Sequence, residues 1–176
     1  FDVLVGFPTG TFFMQKSWDA AGLFFRYAPF VRERRENMER HYILASHGMF
    51  SQGIYDSIRI ILGEKKHVHL ITAYVKDGQD ISDLIKETMK KIPTDAEIIA
   101  CTDLFGGSVN NELMKYIGKK HFHLLTGMNL PMLMNLFLFS DEDADKLIRR
   151  LFTEAKTGIM YCNETVKGIS SQEDEF

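Results

Sequence analysis

The sequence predicts an α/β fold: an open, mostly parallel sheet in strand order 2-1-3-4, with helices on both faces. The order is the common one for such sheets, and two observations carry the rest of the prediction. From residue 38 onward, short β-rich apolar runs alternate with segments of helical period, the pattern of βαβ units. The boundaries between them hold Gly, Pro or an Asp/Ser cap, the residues that start and stop such elements. Crossovers of this kind are right-handed almost without exception, and a sheet built this way is covered on both sides.

The first strand is His41 to Ala45, followed by the turn-like Ser46-His47-Gly48. Met49 to Leu62 follows as a helix with Ile54, Ile58, Ile61 and Leu62 on one face, and Gly63 ends it. His67 to Val75 alternates as the second strand. Asp77 to Asp80 is a turn, with Asp80 capping a helix from Ile81 to Lys91 that stops before Pro93. Ala96 to Cys101 is the third strand and leads into Thr102-Asp-Leu-Phe-Gly-Gly-Ser108. A helix from Val109 to Ile117 closes at Gly118. His121 to Leu125 is the fourth strand, and Pro131 suits the first turn of a helix running through Phe139. Ser140 to Asp143 caps a last helix, Ala144 to Lys156, and Thr157 to Cys162 reads as a short fifth strand.

The ends differ in character. Residues 1–37 are rich in Phe and Gly without a sustained period and close on a charged run, Val31 to Asn37. They read as a leader or extension outside the core domain of residues 38–162; the plainer alternative is an arm packed on that domain. Residues 163–176 read as a flexible acidic tail.

Composition narrows the function classes. A net charge of −3 gives no basic excess for a nucleic-acid partner. No run of about eighteen apolar residues is present to insert in a bilayer. The two cysteines, Cys101 and Cys162, have no metal-ligand or C-x-x-C spacing and fit a reducing, cytoplasmic setting. Neither nucleotide-binding glycine motif occurs, so no cofactor is indicated. His67 with His69 and His121 with His123 form His-x-His segments on strand faces. No carboxylate or cysteine evidently joins them, so no metal site is read there. The methionines of Met128 to Met134 fall at helical spacing and read as core.

In open parallel sheets, ligands bind at the carboxyl ends of the strands beside the switch in strand order. The residues there are Ser46-His47-Gly48, Thr102 to Ser108 and Gly127 to Pro131. A neutral imidazole is a good nucleophile toward phosphorus near neutral pH, provided its other nitrogen is held in one tautomer. Asp103 can hold His47 if strands one and three are neighbours. Gly106 and Gly107 let the backbone approach a ligand, and Ser108 opens a helix whose N–H groups favour an anion. Ser51 and Gly53 offer similar donors at the helix after His47, so a phosphoryl group on His47 would lie between two helix N-termini. Singly, each residue has a duller reading as solvated surface, cap or turn. Their joint placement is the signal.

Three stretches then resemble one family. Ile43-Leu-Ala-Ser-His-Gly-Met-Phe-Ser-Gln-Gly53 is similar to the opening strand and phosphohistidine loop of mannose-family enzyme IIA of the sugar phosphotransferase system. Thr102-Asp-Leu-Phe-Gly-Gly-Ser-Val-Asn110 resembles its second motif, and Gly127-Met-Asn-Leu-Pro-Met-Leu133 its third. The match runs co-linearly over Glu39 to Cys162. The resemblance implies a phosphohistidine relay enzyme in which phospho-HPr donates a phosphoryl group to Nε2 of His47. The IIB component then accepts it for sugar uptake. It implies that Asp103 holds the other nitrogen, that Ser108 contacts the phosphoryl group, and that Met49, Phe50, Phe105 and Asn129 belong to the docking surface. It also implies a homodimer in which the strand Thr157 to Cys162 crosses, antiparallel, to the partner's sheet. Val109 stands where the family usually has Pro, which loosens the helix start. The leader has no counterpart.

Two other readings are open to the residues. The same module resembles the phosphotransfer part of dihydroxyacetone kinase systems. A receiver-like signalling domain phosphorylated on Asp103 would need a pair of acids after strand one, where this chain has Ser46-His47.

Overall fold

The computed structural model describes residues 38–154 and residue 163. Four parallel strands, β1 (Arg40–His47), β2 (Val68–Ala73), β3 (Glu97–Thr102) and β4 (Phe122–Thr126), lie in the order β2-β1-β3-β4. Between and after them come helices α1 (Phe50–Leu62), α2 (Ile81–Lys90), α3 (Ser108–Met114), α4 (Leu130–Leu138) and α5 (Ala144–Glu154). The predicted fifth strand, Thr157 to Cys162, and the residues 1–37 and 164–176 lie outside the described residues.

The alternation of the strands divides the core in two. Tyr42 and Leu44 of β1 with Ile99 and Cys101 of β3 face α1, α4 and α5, whereas Ile43, Ala45, Ile98 and Ala100 face α2 and α3. Both faces of β1 and β3 are covered, so their sequences are continuous apolar runs. Cys101 is wholly buried, and that burial pushes its thiol up to about 12, which leaves it inert at neutral pH.

The helix boundaries follow local chemistry. Asp80 caps α2 by accepting from the Ser82 and Asp83 amides at 2.6 and 3.3 Å, and Asp143 does the same for α5. Helix α3 begins at Ser108, one residue before the predicted start. Val109 is completely buried against the second core, and this packing fixes the helix start without the family's Pro. The apolar stripe of α1 is Tyr55, Ile58 and the half-buried Ile54 and Leu62; Ile61 lies off it and is exposed. The strands enter later than expected at two points. His67 and His121 are not strand residues: each has a left-handed φ, of 57° and 60°, and turns its carbonyl to the neighbouring strand's amide, Tyr42 or Ile98. His67 and His69 therefore do not share a strand face.

Arg40 closes the amino edge of the sheet. Its guanidinium contacts Glu97 of β3 at 2.7 Å, with side-chain exposures of 12% and 5%. It also donates to the carbonyls of Ser140 and Glu142, both at 2.7 Å, tying the α4–α5 turn to β1 and β3.

Candidate functional site

His47 is the last residue of β1, paired with Ala73 of β2, and not a loop residue after the strand. Gly48 follows with φ 57° and donates its amide to the Ala73 carbonyl, so the chain turns away at once and leaves the imidazole at the carboxyl edge. On the other side of β1, Ala45 pairs with Thr102 of β3, which brings Asp103 alongside His47. One carboxylate oxygen, Oδ2, accepts from both the His47 amide and ring Nδ1, each at 2.8 Å. The other, Oδ1, accepts from the Leu104 amide at 2.9 Å. With the proton fixed on Nδ1, Nε2 presents its lone pair outward.

Nε2 meets the Ser108 hydroxyl at 3.1 Å, and that hydroxyl oxygen accepts from the Tyr74 phenol at 2.7 Å. The Tyr74 ring also stacks on the imidazole, with centroids 5.7 Å apart and planes 22° from parallel. Tyr74 has a left-handed φ of 62° immediately after β2, a conformation a bulky residue seldom adopts without compensation. Sequence reasoning missed it because it looked like one more residue of the second strand. The signal available was only its place at the carboxyl end of the strand beside β1.

Asp103 feels two opposed influences. Burial alone would raise its carboxyl, but the hydrogen bonds from the His47 amide, the His47 ring and the Leu104 amide outweigh this and hold it below its ordinary range. A depressed folded pKa means that the unfolded chain binds the proton more readily. The resulting stability is therefore present above the ordinary carboxylate value of 3.8 and is lost as pH falls through the lower folded value. The stability difference between wild type and Asp103→Asn should accordingly be flat above about pH 5 and shrink below pH 4, measured as urea midpoints against pH. A difference that stays constant down to pH 2 would contradict the assignment of these bonds.

The glycines have distinct duties. Gly106 takes φ 74° at the turn. Gly107 has an ordinary φ of −67°, but a Cβ there would lie 3.0 Å from His47 Cε1 and 3.4 Å from the Leu104 carbonyl oxygen. The close approach is to the imidazole itself. Gly107→Ala should leave the fold intact but displace the ring, slowing phosphoryl acceptance at least about tenfold with the urea midpoint little changed. A wild-type rate in that variant would mean the ring has room to spare. Asn110, buried beneath the loop, donates to the Thr102 hydroxyl at 3.0 Å and accepts from the Gly106 amide at 3.2 Å, clamping both ends of it.

Two predicted residues are placed elsewhere by the structure. Ser51 is wholly buried, its amide donating to the Ser46 hydroxyl at 2.7 Å and its own hydroxyl to the Ile71 carbonyl at 3.0 Å. The Gly53 amide is bonded to the Met49 carbonyl within α1. The Ser51 and Gly53 donors are thus already taken within the fold and are not offered to an anion beside His47. Asn129 caps α4, accepting from the Met132 amide at 2.9 Å and donating to the Gly127 carbonyl at 3.1 Å, so its amide serves its own turn. Met49, Phe50 and Phe105 are exposed as expected and are joined by Leu104, Tyr74 and Val75. The His47 side chain is 40% exposed, open to a partner protein. Among the described residues no helix is long and apolar enough to cross a membrane.

Fold and site together define an α/β domain built around one oriented, outward-facing histidine at the switch point of a parallel sheet. Residues 41–151 match the family described as the PTS system fructose IIA component. The chain belongs to the mannose-family IIA components of the sugar phosphotransferase system, a family of phosphotransfer proteins. A crystal structure from Klebsiella pneumoniae, described as a phosphoenolpyruvate-dependent sugar phosphotransferase system permease, is 42% identical with a TM-score of 0.71. It covers 74% of this chain and 96% of that one. The fructose-specific EIIA component of Bacillus subtilis is 24% identical over 142 residues, 76% of this chain and 97% of that protein. The mannose-specific EIIAB component of Escherichia coli is 24% identical over 123 residues, and this match spans 38% of its length.

Proposed function

We propose that this protein is the cytoplasmic phosphocarrier of a mannose-family system, taking a phosphoryl group from phospho-HPr on His47 and passing it to a IIB component. The observation that carries the reading is the division of labour on one imidazole. Nδ1 is held by Asp103 at 2.8 Å, while Nε2 faces the Ser108 hydroxyl at 3.1 Å on a side chain 40% exposed.

In the transfer, the Nε2 lone pair attacks phosphorus as the bond to the donor's leaving group breaks. The Nδ1 proton stays with His47, hydrogen-bonded to Asp103, which balances the imidazolium character of the product. Ser108 turns from Nε2 to the incoming phosphoryl oxygens, and Tyr74 steadies its hydroxyl. The amino end of α3 adds its partial positive charge. Because catalysis here is positioning and charge stabilisation, no metal is needed for the step. Met49 and Phe50, just after His47, and Leu104 and Phe105, just after Asp103, are exposed apolar side chains suited to two successive protein partners. The working domain is taken as residues 38–162, active as a homodimer.

An acyl phosphate on Asp103 is the poorer reading, because three N–H groups already occupy its two oxygens. Incubation with phosphoenolpyruvate, enzyme I and HPr should label the protein on the peptide containing His47. The label should be acid-labile, base-stable and dependent on HPr. A hydroxylamine-sensitive label on Asp103, or label on another residue, would overturn the proposal.

A further inference from the structure

At the opposite, amino edge of the sheet lies a second cluster of histidines. Sequence reasoning found no carboxylate to join the histidines there, but the fold supplies one. Glu39, just before β1, sets Oε2 3.2 Å from Nε2 of His41 and Oε1 2.9 Å from Nε2 of His67. All three ligand atoms lie within 4.8 Å of one another. Behind them, Nδ1 of His41 meets Nε2 of His69 at 2.9 Å, and the two rings stack. Four residues from β1, β2 and their entry turns thus converge on one point.

We propose that Glu39, His41 and His67 bind a divalent transition ion of the zinc type. Two imidazoles and a carboxylate form a donor set suited to zinc, with a fourth position left for water. Zinc holds such atoms at about 2.0–2.2 Å from itself, hence about 3.3 Å from each other in a tetrahedral arrangement. Oε1 and Oε2 already stand near that distance from their histidines, so small side-chain rotations suffice. His41 is a buried ligand, 5% exposed, and its Nδ1 has an outer partner 2.9 Å away, Nε2 of His69: with the ion on Nε2 of His41, Nδ1–H would donate there. His67 is a half-exposed ligand, so an ion can enter from solvent. Its left-handed backbone aims it back over Glu39 and is held by the Tyr42 amide on its carbonyl, 2.9 Å away.

The site is remote from His47. Six residue steps along extended β1 separate His41 from it, roughly 20 Å. The ion therefore clips the entries of β1 and β2 together and leaves the phosphoryl chemistry untouched.

Calorimetric titration of Zn2+ into the tag-free full chain tests this, with Co2+ absorption as a second readout. Wild type and His47→Ala should each bind one ion, with visible bands of tetrahedral cobalt. Glu39→Gln and His67→Asn should weaken binding at least about tenfold; Asn is chosen because it tolerates the left-handed backbone. Saturating Zn2+ should raise the wild-type Tm by roughly 5 °C and leave that of His67→Asn unmoved. Equal binding by wild type and His67→Asn overturns the proposal. So does binding lost in His47→Ala, which would place the ion at the other edge.

Discussion

Replacing His47 by Ala should abolish phosphoryl acceptance outright, whereas Asp103→Asn should keep it and slow it by about ten- to a hundredfold. The first variant removes the attacking atom. Neither His41 nor any of the other described histidines stands at the carboxyl edge to replace it. The second variant leaves the nucleophile but spoils its support. Oδ2 of Asp103 accepts two N–H groups of His47, and Oδ1 accepts the Leu104 amide. An amide has only one acceptor oxygen. If Asn turned that oxygen to His47, its NH2 would confront the Leu104 N–H; turned the other way, it would confront the ring. In either orientation a donor faces a donor, and the imidazole can settle with its proton on Nε2, where the lone pair is needed. Loss of a hydrogen bond to a charged group is worth about 1.5–3 kcal/mol, which sets the fold-change. Rapid-quench transfer from phospho-HPr measures both variants. An unchanged rate in Asp103→Asn would remove the carboxylate from the mechanism.

Arg40→Met should cost about 3–5 kcal/mol of stability, read as the shift in urea midpoint. The guanidinium is nearly buried and joins three elements: Glu97 opposite it in β3, and the Ser140 and Glu142 carbonyls of the α4–α5 turn. Removing it takes the 2.7 Å partner from the Glu97 carboxylate, 5% exposed, whose other oxygen lies 4.0 Å from His123 Nε2, and takes the Arg40 donor from two carbonyls. Desolvation of a carboxylate no longer balanced by the guanidinium dominates the loss; the pair's own net contribution is much smaller. Arg40→Met with Glu97→Leu should therefore recover much of the stability. Phosphoryl transfer by folded Arg40→Met should be normal, since the pair sits at the amino edge. A midpoint within about 0.5 kcal/mol of wild type would show that water already solvates this pair.

The periodicity of residues 41–154 was legible because both sheet faces are covered. Buried parallel strands write themselves as unbroken apolar runs, and the helices carry caps such as Asp80 and Asp143 in their own sequence. His47 and Asp103 were legible for the same reason: strand order, once assigned, puts both residues at one edge. Residues whose role depends on a local backbone twist were not legible. Tyr74 and His67 look like strand residues in an alternating segment, yet both take a left-handed φ that redirects the side chain. Ser51 misled because a hydroxyl after a helix start suggests a ligand donor, and only packing reveals that Ile71 and Ser46 consume its hydrogen bonds.

By itself the sequence determined the parallel αβ alternation and placed His47 and Asp103 at the ends of their strands. The alternation follows from hydrophobic period and connection rules, which are local or nearly so; the order 2-1-3-4, taken as the common one for such sheets, brought the two residues to one edge. The tertiary structure alone decided that one oxygen of Asp103 holds both the His47 amide and Nδ1, that Tyr74 stacks on the ring and bonds Ser108, and that Glu39 reaches His41 and His67. Those are distances between residues far apart in the chain. They depend on register and on individual backbone angles, and no pattern along the sequence encodes either one.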